Sequence, residues 1–321
     1  MTIAQDCSSG YLQLHFYTED GSHSMDAATL NKCVYEYLGI IKEVCSKFQL
    51  EACVESEALS EGGIRHWLKI NLPSKEAFKT ALILALLVDI AKAPITTPFA
   101  VLVEKVVERI LTPEEIRKLE DEKTKAELEY QIAWYREETK KLADTINTNV
   151  ISKKKSNFYT SAKDCLKVNS VEFTYADKKK DTIVQTSVAR CDFDKYILAS
   201  DELEPKEIDE AIIKIVSPVL KKGKYKWTGI YNGEVIQFAL KSNEFKTLVQ
   251  TGQIAFKNGT SMKCQLIIKR KLDAEGNEKI TGYEVWSVDA TFENDKPIET
   301  PEWKRKRQQK EADEMQLTFD F

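Results

Sequence analysis

The spacing of hydrophobic residues changes once along the 321-residue chain, and this change constrains the fold more than any other feature. Before about residue 153, the longest periodic segments repeat their apolar residues at helical intervals. Beyond that point, segments such as "VNSVEFTYA" and "DTIVQTSVA" alternate apolar and polar residues, as half-buried strands do. The pattern predicts the α+β class, with helices concentrated in the first half and strands in the second.

The first 111 residues are predicted to form one α+β domain. "YLQLHFY" alternates as a strand, and a helix is expected from Asp26, a suitable N-cap, to Phe48. "EACVESEA" and "IRHWLKI" alternate on either side of "SEGG", which indicates a hairpin. We expect a mixed sheet with helices on one of its faces.

Residues 80–103, "TALILALLVDIAKAPITTPFAVLV", form a run long enough to span a bilayer, which needs about 20 apolar residues. Asp89, Lys92, Pro94 and Pro98 interrupt the run near its middle. Each charge at membrane depth costs roughly 2.5–3.5 kcal/mol. Two buried helices joined by a proline-containing turn are therefore expected, and a membrane partner is not. A membrane-associated sensor is the alternative that this run leaves open.

Residues 112–153 carry the pattern of one long helical connector. The segment "TPEE" begins it, with Thr112 as N-cap and Pro113 at the first helical position. The apolar stripe is thin, yet Trp134 and Tyr135 lie midway among charged residues. Because aromatic residues are favoured at interfaces, we expect this helix to pair with its copy in a homodimer.

Residues 154–296 are predicted to form a β-rich domain, either a mixed-β barrel or a sandwich. Within it, Asn232-Gly233 is the preferred two-residue turn of a hairpin. No period survives after this domain, and residues 297–321 are predicted to be a solvated tail, either flexible or helical.

Charge and composition exclude several classes of function. The formal net charge of −4 gives the whole chain no basic signature for nucleic acid. Seven widely spaced cysteines and three histidines lack zinc-site spacing, so neither a metal nor a cofactor is expected. The sequence has no glycine-rich phosphate-binding motif and no hydrolase motif. The first residues lack a secretion signal, which predicts a cytoplasmic protein.

One polar loop, "HFYTEDGSHSMDA", offers the catalytic candidates His15, Asp20, His23 and Asp26. Such groups between a strand end and a helix start suit general acid–base chemistry, as in a hydrolase or nuclease. The competing interpretation is structural, because Asp20-Gly21 has turn chemistry and Asp26 can cap a helix. The structural interpretation is favoured.

Basic residues gather at two places, in "KKKSNFY" (Lys153, Lys154 and Lys155), which follows the long helix and is otherwise typical of a solvated hinge, and in "EWKRKRQQK". Beside aromatic residues, such clusters can bind the phosphates and bases of DNA or RNA. The strand segments "KYKW", with Lys224 and Lys226, and "CQLIIKRK" add further basic residues, and a basic patch is expected on the C-terminal domain if they converge. The predicted nucleic-acid residues are Lys269, Arg270, Lys271, Lys304, Arg305, Lys306 and Arg307.

The last six residues, "QLTFDF", resemble the short peptide by which many bacterial DNA-processing proteins dock on the sliding clamp. The resemblance implies that Gln316 enters a polar subsite. It also implies that Leu317 and Phe319 fill an apolar pocket and that Phe321 closes it. Phe319 departs from the family pattern, which usually has leucine at this position.

These features together predict a non-enzymatic binding or adaptor protein of bacterial DNA transactions. Its C-terminal peptide would recruit it to the sliding clamp in replication, repair or phage defence. A hydrolase or nuclease using the polar loop and a membrane-associated sensor are the alternatives.

Overall fold

The structure, a computed structural model, describes most of the chain. The described ranges are residues 8–22, 24–57, 64–72, 77–110, 148–221, 225–257, 259–293 and 296–319, with the single residues 130, 133, 137 and 223. Contacts divide the chain into two compact units. Unit 1 is Met1–Ser200 with Ala274–Asn277, and unit 2 is Asp201–Asp273 with Glu278–Phe321. Both helices and strands occur in each unit, so the predicted α+β class is confirmed.

Five strands form the sheet of unit 1, in the order β2-β3-β1-β4-β5, and all neighbours are antiparallel. The prediction of a mixed sheet is wrong. Two strands that a helix connects do not lie side by side in this sheet, because a third strand lies between them and is antiparallel to both. Thus β3 lies between β1 and β2, and β1 lies between β3 and β4. The strands are Ser8–Thr18 (β1), Cys53–Ser56 (β2), Ile64–Leu72 (β3), Val168–Ala176 (β4) and Thr182–Ala189 (β5).

Helices connect the strands of unit 1 in the order of a split βαβ arrangement. One helix joins β1 to β2, and the others lie between β3 and β4 along the chain. The helices are Ala27–Lys47 (α1), Ala77–Lys92 (α2), Phe99–Ile110 (α3) and Thr148–Asp164 (α4), with a 3-10 helix at Arg190–Tyr196 after β5.

The core of unit 1 combines one face of the sheet with the helices. Leu12, Leu14 and Phe16 alternate along β1 and are buried. From α4, Phe158 lies with its ring centroid 5.6 Å from that of Phe173 on β4. The apolar side chains that alternate along β1 and those on the inner face of α4 therefore pack in one apolar cluster.

The apolar run of residues 80–103 forms most of α2, a turn and the start of α3, as expected. Asp89, the charge that interrupts this run, is buried and lies 2.7 Å from the amine of Lys92 and 2.9 Å from the guanidinium of Arg109. None of the helices in the described ranges is both long enough and apolar enough to cross a membrane.

The boundary between the units lies at Ser200, and not near residue 153 where it is predicted. Strand β4 pairs with β1 in the first sheet. An alternating pattern identifies a strand but does not identify the sheet that it joins, which explains the error. Of the predicted connector, residues 148–153 belong to α4. Trp134 and Tyr135 lie outside the described residues, so the homodimer contact stays a prediction.

Unit 2 is built on a closed five-stranded barrel, which confirms the predicted barrel. The strand order is β6-β7-β8-β10-β9, and β9 pairs back with β6. Strands β8 and β10 are parallel, whereas the other neighbours in the barrel are antiparallel. The strands are Glu202–Ser217 (β6), Trp227–Tyr231 (β7), Glu234–Leu240 (β8), Ser261–Leu272 (β9) and Glu278–Glu293 (β10), and helix α5 (Asn243–Gln250) joins β8 to β9.

This connectivity is that of an OB barrel, in which the first strand pairs with the second and fourth and the third runs parallel to the fifth. Two local features secure it. Asn232 and Gly233 have φ values of 50° and 84°, so the predicted hairpin turn between β7 and β8 is confirmed. Gly229 permits close packing, because an added Cβ would lie 2.5 Å from Cγ2 of Ile213.

The predicted tail has regular structure over most of its length, and of the two predicted forms the helical one is found. Strand β11 (Lys296–Glu299) pairs with β10, and helix α6 (Pro301–Phe319) follows. Thr300 accepts a hydrogen bond from the backbone N–H of Trp303 at 3.2 Å, and Pro301 occupies the first turn. The segment "TPEW" therefore begins a helix by the chemistry that the sequence predicts for "TPEE", which lies outside the described residues.

Candidate nucleic-acid interface

The two aspartates of the predicted catalytic loop have structural roles. Asp26 caps α1 and accepts a hydrogen bond from the backbone N–H of Thr29 at 2.7 Å. Asp20 accepts one from the backbone N–H of Ser22 at 2.9 Å. Hydrogen bonds from Ser22 lower the pKa of Asp20 to about 2, so this carboxylate stays ionised at neutral pH. Neither group is poised for acid–base chemistry. His23 lies outside the described residues.

His15 lies within β1 and not in the loop that follows. Its side chain is buried, with Nδ1 3.7 Å from Oε1 of Glu172 and its ring centroid 3.9 Å from that of Tyr17. The predicted catalytic set is therefore distributed between a sheet, a turn and a helix cap. The part of the chain that the structure describes also contains no cluster of three or more His, Cys, Asp or Glu side chains that could hold a metal ion.

Most of the predicted nucleic-acid residues on β9 and α6 are engaged by polar or acidic neighbours. The amine of Lys306 donates a hydrogen bond to Oγ of Ser287 at 3.1 Å, whereas Lys271 and Lys304 are exposed. Because the other four charges are compensated locally, these residues do not form one uncompensated patch. The ion pairs are Lys269–Glu284, Arg270–Glu278, Arg305–Glu244 and Arg307–Glu299.

A different group of lysines lines a cleft of about 700 Å³ in unit 2, which we call the basic cleft. It is open to solvent on one side, and its lining combines cationic, aromatic and neutral polar side chains. The side chains that carry the argument are Lys221, Tyr225, Lys226, Trp227, Lys241 and Lys246.

Three segments of unit 2 build the basic cleft. The β6–β7 loop supplies Lys221 and Lys226, the end of β8 leads to Lys241, and α5 supplies Lys246. The pairing of Trp227 with Phe238 brings the end of the loop beside the end of β8. The ring of the buried Trp227 contacts the ring of Phe238 and that of Phe245 on α5. These contacts hold this corner of the barrel together. The lysines are thus presented on a packed scaffold.

The charge in the basic cleft is positive, because none of its described lining residues is acidic. Lys241 lies at the margin, where its amine is 3.3 Å from Oε1 of Glu284, so its charge is partly compensated. The amine of Lys246 is 3.5 Å from Oδ1 of Asn243, a neutral acceptor. Lys221 and Lys226 are exposed. Cations gathered in a concave surface attract a polyanion more strongly than the same charges spread over a sphere.

Tyr225 gives the basic cleft an exposed aromatic ring, with 67% of its surface accessible to solvent. It lies on the same loop as Lys221 and Lys226. Lysines that follow a phosphate backbone, combined with a ring on which a base can stack, are the elements of single-strand binding sites. The side chains of the basic cleft are suited to binding a polyanion.

The outer face of β6, β7 and β8 has a different character. Ile212, Val216 and Val235 are exposed there, and Lys214 lies between the two β6 side chains in the sequence. Ile230 pairs with both Lys214 and Val235, so the aliphatic residues lie on adjacent strands. Such a surface has no ring for base stacking. Within the described residues of the barrel, the basic cleft is therefore the better match to a nucleic acid.

The sequence indicates only part of this site. Lys226 is among the residues singled out, and the density of lysine in "KKGKYKW" is a local signal for the loop. Lys241 and Lys246 stand alone in the sequence and reach the cleft only because β8 pairs with β7 and α5 follows β8. Lys222 and Lys224 belong to the same loop and lie outside the described residues.

Comparison with known proteins gives no match, whether with protein-family models, with curated proteins or with solved structures. The two units can therefore be compared with known folds only by the connectivity of their strands and helices. Connectivity does not determine function. The functional inference rests on the side chains of the basic cleft.

Proposed function

We propose that the chain is a non-enzymatic binding protein whose basic cleft binds single-stranded nucleic acid. The observation that carries the proposal is the convergence of Lys221, Lys226, Lys241 and Lys246 with the exposed ring of Tyr225. The lysines attract phosphates without regard to sequence, and the ring stacks on a base. Single strands are favoured over duplexes, because a paired base does not offer its face to a side chain.

The OB connectivity of the barrel supports this proposal without establishing it. Barrels of this connectivity bind oligonucleotides and oligosaccharides through their loops and outer strands. In this chain, β6 and β8 expose the aliphatic side chains of Ile212, Val216 and Val235, whereas the β6–β7 loop is basic. We therefore assign the phosphate contacts to the loop, the end of β8 and α5. Binding of a phosphate backbone is stronger when several cations contact it, and the three segments bring several lysines to one cleft.

Replacing three cleft lysines is expected to weaken binding and to lower its dependence on salt. The variant combines Lys221→Gln, Lys226→Gln and Lys246→Gln, leaving the paired Lys241. Each phosphate deprived of its lysine should reduce the slope of log affinity against log salt by about 0.7, so a reduction of about 2 is expected. Affinity at low salt should fall at least about tenfold, which corresponds to 1.4 kcal/mol. Fluorescence anisotropy with labelled oligo-dT and oligo-U between about 50 and 200 mM salt measures both quantities.

A charge-matched control uses cations that are already paired. Lys269→Gln, Arg270→Gln and Arg307→Gln remove the same formal charge from residues engaged with Glu284, Glu278 and Glu299. This variant should keep most of the wild-type affinity. Equal losses in both triple variants would show attraction to overall charge and would contradict the assigned cleft. An absence of wild-type binding to both oligonucleotides would reject the function.

We further propose that the C-terminal peptide recruits the protein to a bacterial sliding clamp, in replication, repair or phage defence. The support is the resemblance of "QLTFDF" to clamp-docking peptides. Gln316, Leu317 and Phe319 lie in the helical span of α6, and Phe321 lies outside the described residues. Because docking peptides bind as extended segments, the last turns of α6 must open on binding.

The expected result is direct binding of a peptide covering residues 311–321 to a purified bacterial sliding clamp. Isothermal calorimetry should give a Kd below about 1 mM, which corresponds to roughly −4 kcal/mol. Gln316→Ala and Phe321→Ala should each weaken it, because they empty the polar subsite and the closing position. A scrambled peptide of the same composition is the matched control. Equal affinity of the scrambled peptide would remove the recruitment proposal while leaving the basic cleft untouched.

A further inference from the structure

Helix α4 carries a buried lysine that has no carboxylate partner within the described ranges. Lys155 is 5% exposed, and its amine donates to the backbone oxygen of Ala93 at 2.9 Å and faces that of Ile90 at 3.5 Å. Its neighbour Lys154 is equally buried but lies 3.3 Å from the carboxylate of Glu36. A buried cation is costly unless it is paired, so the isolation of Lys155 requires an explanation.

Lys155 also lines a cavity of about 240 Å³ within unit 1. The walls come from the end of α2, the turn that follows it, the start of α3 and the first turns of α4. Besides the lysine, the polar side chains among the described lining residues carry hydroxyls, and they are Thr96, Thr97, Thr148 and Ser152. The remaining walls are aliphatic and aromatic, with none of the described lining residues acidic.

A purely structural role accounts for only part of this arrangement. The backbone oxygens of Ile90 and Ala93 lie at the C-terminal end of α2, where a lysine can satisfy carbonyls that lack helical partners. A neutral donor would serve those carbonyls as well, without burying a charge. The ammonium group has three donors, and among the described residues it donates to two backbone oxygens, that of Ala93 at 2.9 Å and that of Ile90 at 3.5 Å. The carbonyls at the end of α2 therefore leave the charge of Lys155 without a counter-ion and one of its N–H donors without an acceptor among the described residues.

We propose that this cavity binds a small oxyanion, with Lys155 as its counter-ion and the hydroxyls of Thr96, Thr97 and Ser152 as further donors. The shared ligand chemistry is a carboxylate or phosphate group, which accepts several hydrogen bonds from N–H and O–H groups. The volume suits a small molecule, since it lies just below the usual range of roughly 300–1,000 Å³ for drug-sized ligands. The site belongs to unit 1 and does not depend on the basic cleft.

The ionisation of Lys155 agrees with this geometry. Burial lowers the pKa of its amine to about 8, so at pH 7 the group is mostly charged and desolvated. An anion in the cavity would stabilise the charged form and return the pKa toward its ordinary value. Binding should therefore stabilise the folded protein at neutral pH.

The test measures the melting temperature of the full chain at pH 7 with inorganic phosphate, acetate or succinate, against sodium chloride at equal ionic strength. A ligand at ten times its Kd should raise Tm by about 3–5 °C. Lys155→Gln keeps a donor for the Ala93 carbonyl and should abolish the rise. Lys163→Gln, on the exposed side of the same helix, should retain it. A rise with phosphate alone identifies a phosphate source, and a rise with acetate or succinate identifies a carboxylate source.

Two results would overturn the proposal. One is a shift that chloride matches or that Lys155→Gln retains, because either would mean an adventitious ion only. The other is an absence of any shift. A second measurement on wild-type protein covers the case in which Lys155→Gln fails to fold. The oxyanion should slow acylation of Lys155 by an amine-reactive ester, measured by peptide mass spectrometry, at least about threefold relative to Lys163. Equal labelling with and without the oxyanion would contradict the site.

Discussion

Lys154→Met is expected to lower the free energy of unfolding by about 3–5 kcal/mol, because it leaves a buried carboxylate without its cation. Glu36 is 5% exposed, and its Oε2 lies 3.3 Å from the amine of Lys154. After the substitution, the described partner that remains for this carboxylate is the side-chain amide of Asn157, at 3.3 Å from Oε1. Glu275 also contacts Lys154, but its side chain is 53% exposed and water can replace the missing cation.

The matched control is the double variant Glu36→Met with Lys154→Met. Replacing both members of a buried ion pair with apolar side chains of similar volume is often neutral or stabilising. The double variant should therefore recover most of the stability that the single variant loses. Urea unfolding followed by circular dichroism, arranged as a double-mutant cycle, gives the coupling free energy between the two residues. A single variant as stable as wild type would mean that water already solvates the carboxylate of Glu36 in the folded protein.

The pair also shows why the sequence misplaces the boundary between the units. The segment "ISKKKSNFY" is dense in charge and is typical of a solvated hinge. In the structure it is the middle of α4, with Lys154 paired to Glu36 on α1 and Phe158 and Tyr159 in the core. Burying the charge of Lys154 is costly without a partner, and this partner, Glu36, lies more than a hundred residues away in the chain. Sequence spacing reveals helical periodicity but cannot reveal such a pairing.

Local chemistry predicts the elements better than it predicts their assembly. The Asn232-Gly233 turn, the cap at Asp26 and the alternation of β1 depend on neighbouring residues, and each is found in the structure. The placement of β4 beside β1 depends on residues more than a hundred positions apart, and the local pattern assigns β4 to the wrong unit. Short-range signals lie within the range of pattern analysis, whereas sheet membership is decided by the packing of the whole core.

The same distinction applies to the candidate sites. The predicted basic residues adjoin one another in the sequence, and four of them lie beside glutamates that neutralise them in the folded chain. The basic cleft gathers lysines from three segments, and only the loop among them has a visible local signal. Folding can thus neutralise basic residues that cluster in the sequence, and it can bring together basic residues that are distant in the sequence.

The stability of the protein is expected to rise between about pH 8 and pH 10.5 because of Lys155. Its pKa is about 8 in the folded protein and about 10.4 in the unfolded chain, as for an ordinary lysine. Below pH 8 both states hold the proton, and the cost of burying the charge is fully present. Above pH 8 the folded state loses its proton first, so the unfolded state binds more protons and stability increases with pH. The total increase is about 3 kcal/mol over this range.

Other lysines and tyrosines titrate in the same range, so the measurement compares variants. Urea unfolding at half-unit steps from about pH 7 to 10.5 should show the rise in wild type and in Lys163→Met, whose lysine is exposed. The rise should be smaller by about 3 kcal/mol in Lys155→Met, which has no proton to lose at this position. With saturating phosphate, the wild-type rise should shift to higher pH, because a bound oxyanion holds the ammonium in its charged form. An identical rise in wild type and Lys155→Met would show that the amine keeps an ordinary pKa and is hydrated in the folded protein. It would also remove the desolvated charge that makes the cavity attractive to an anion.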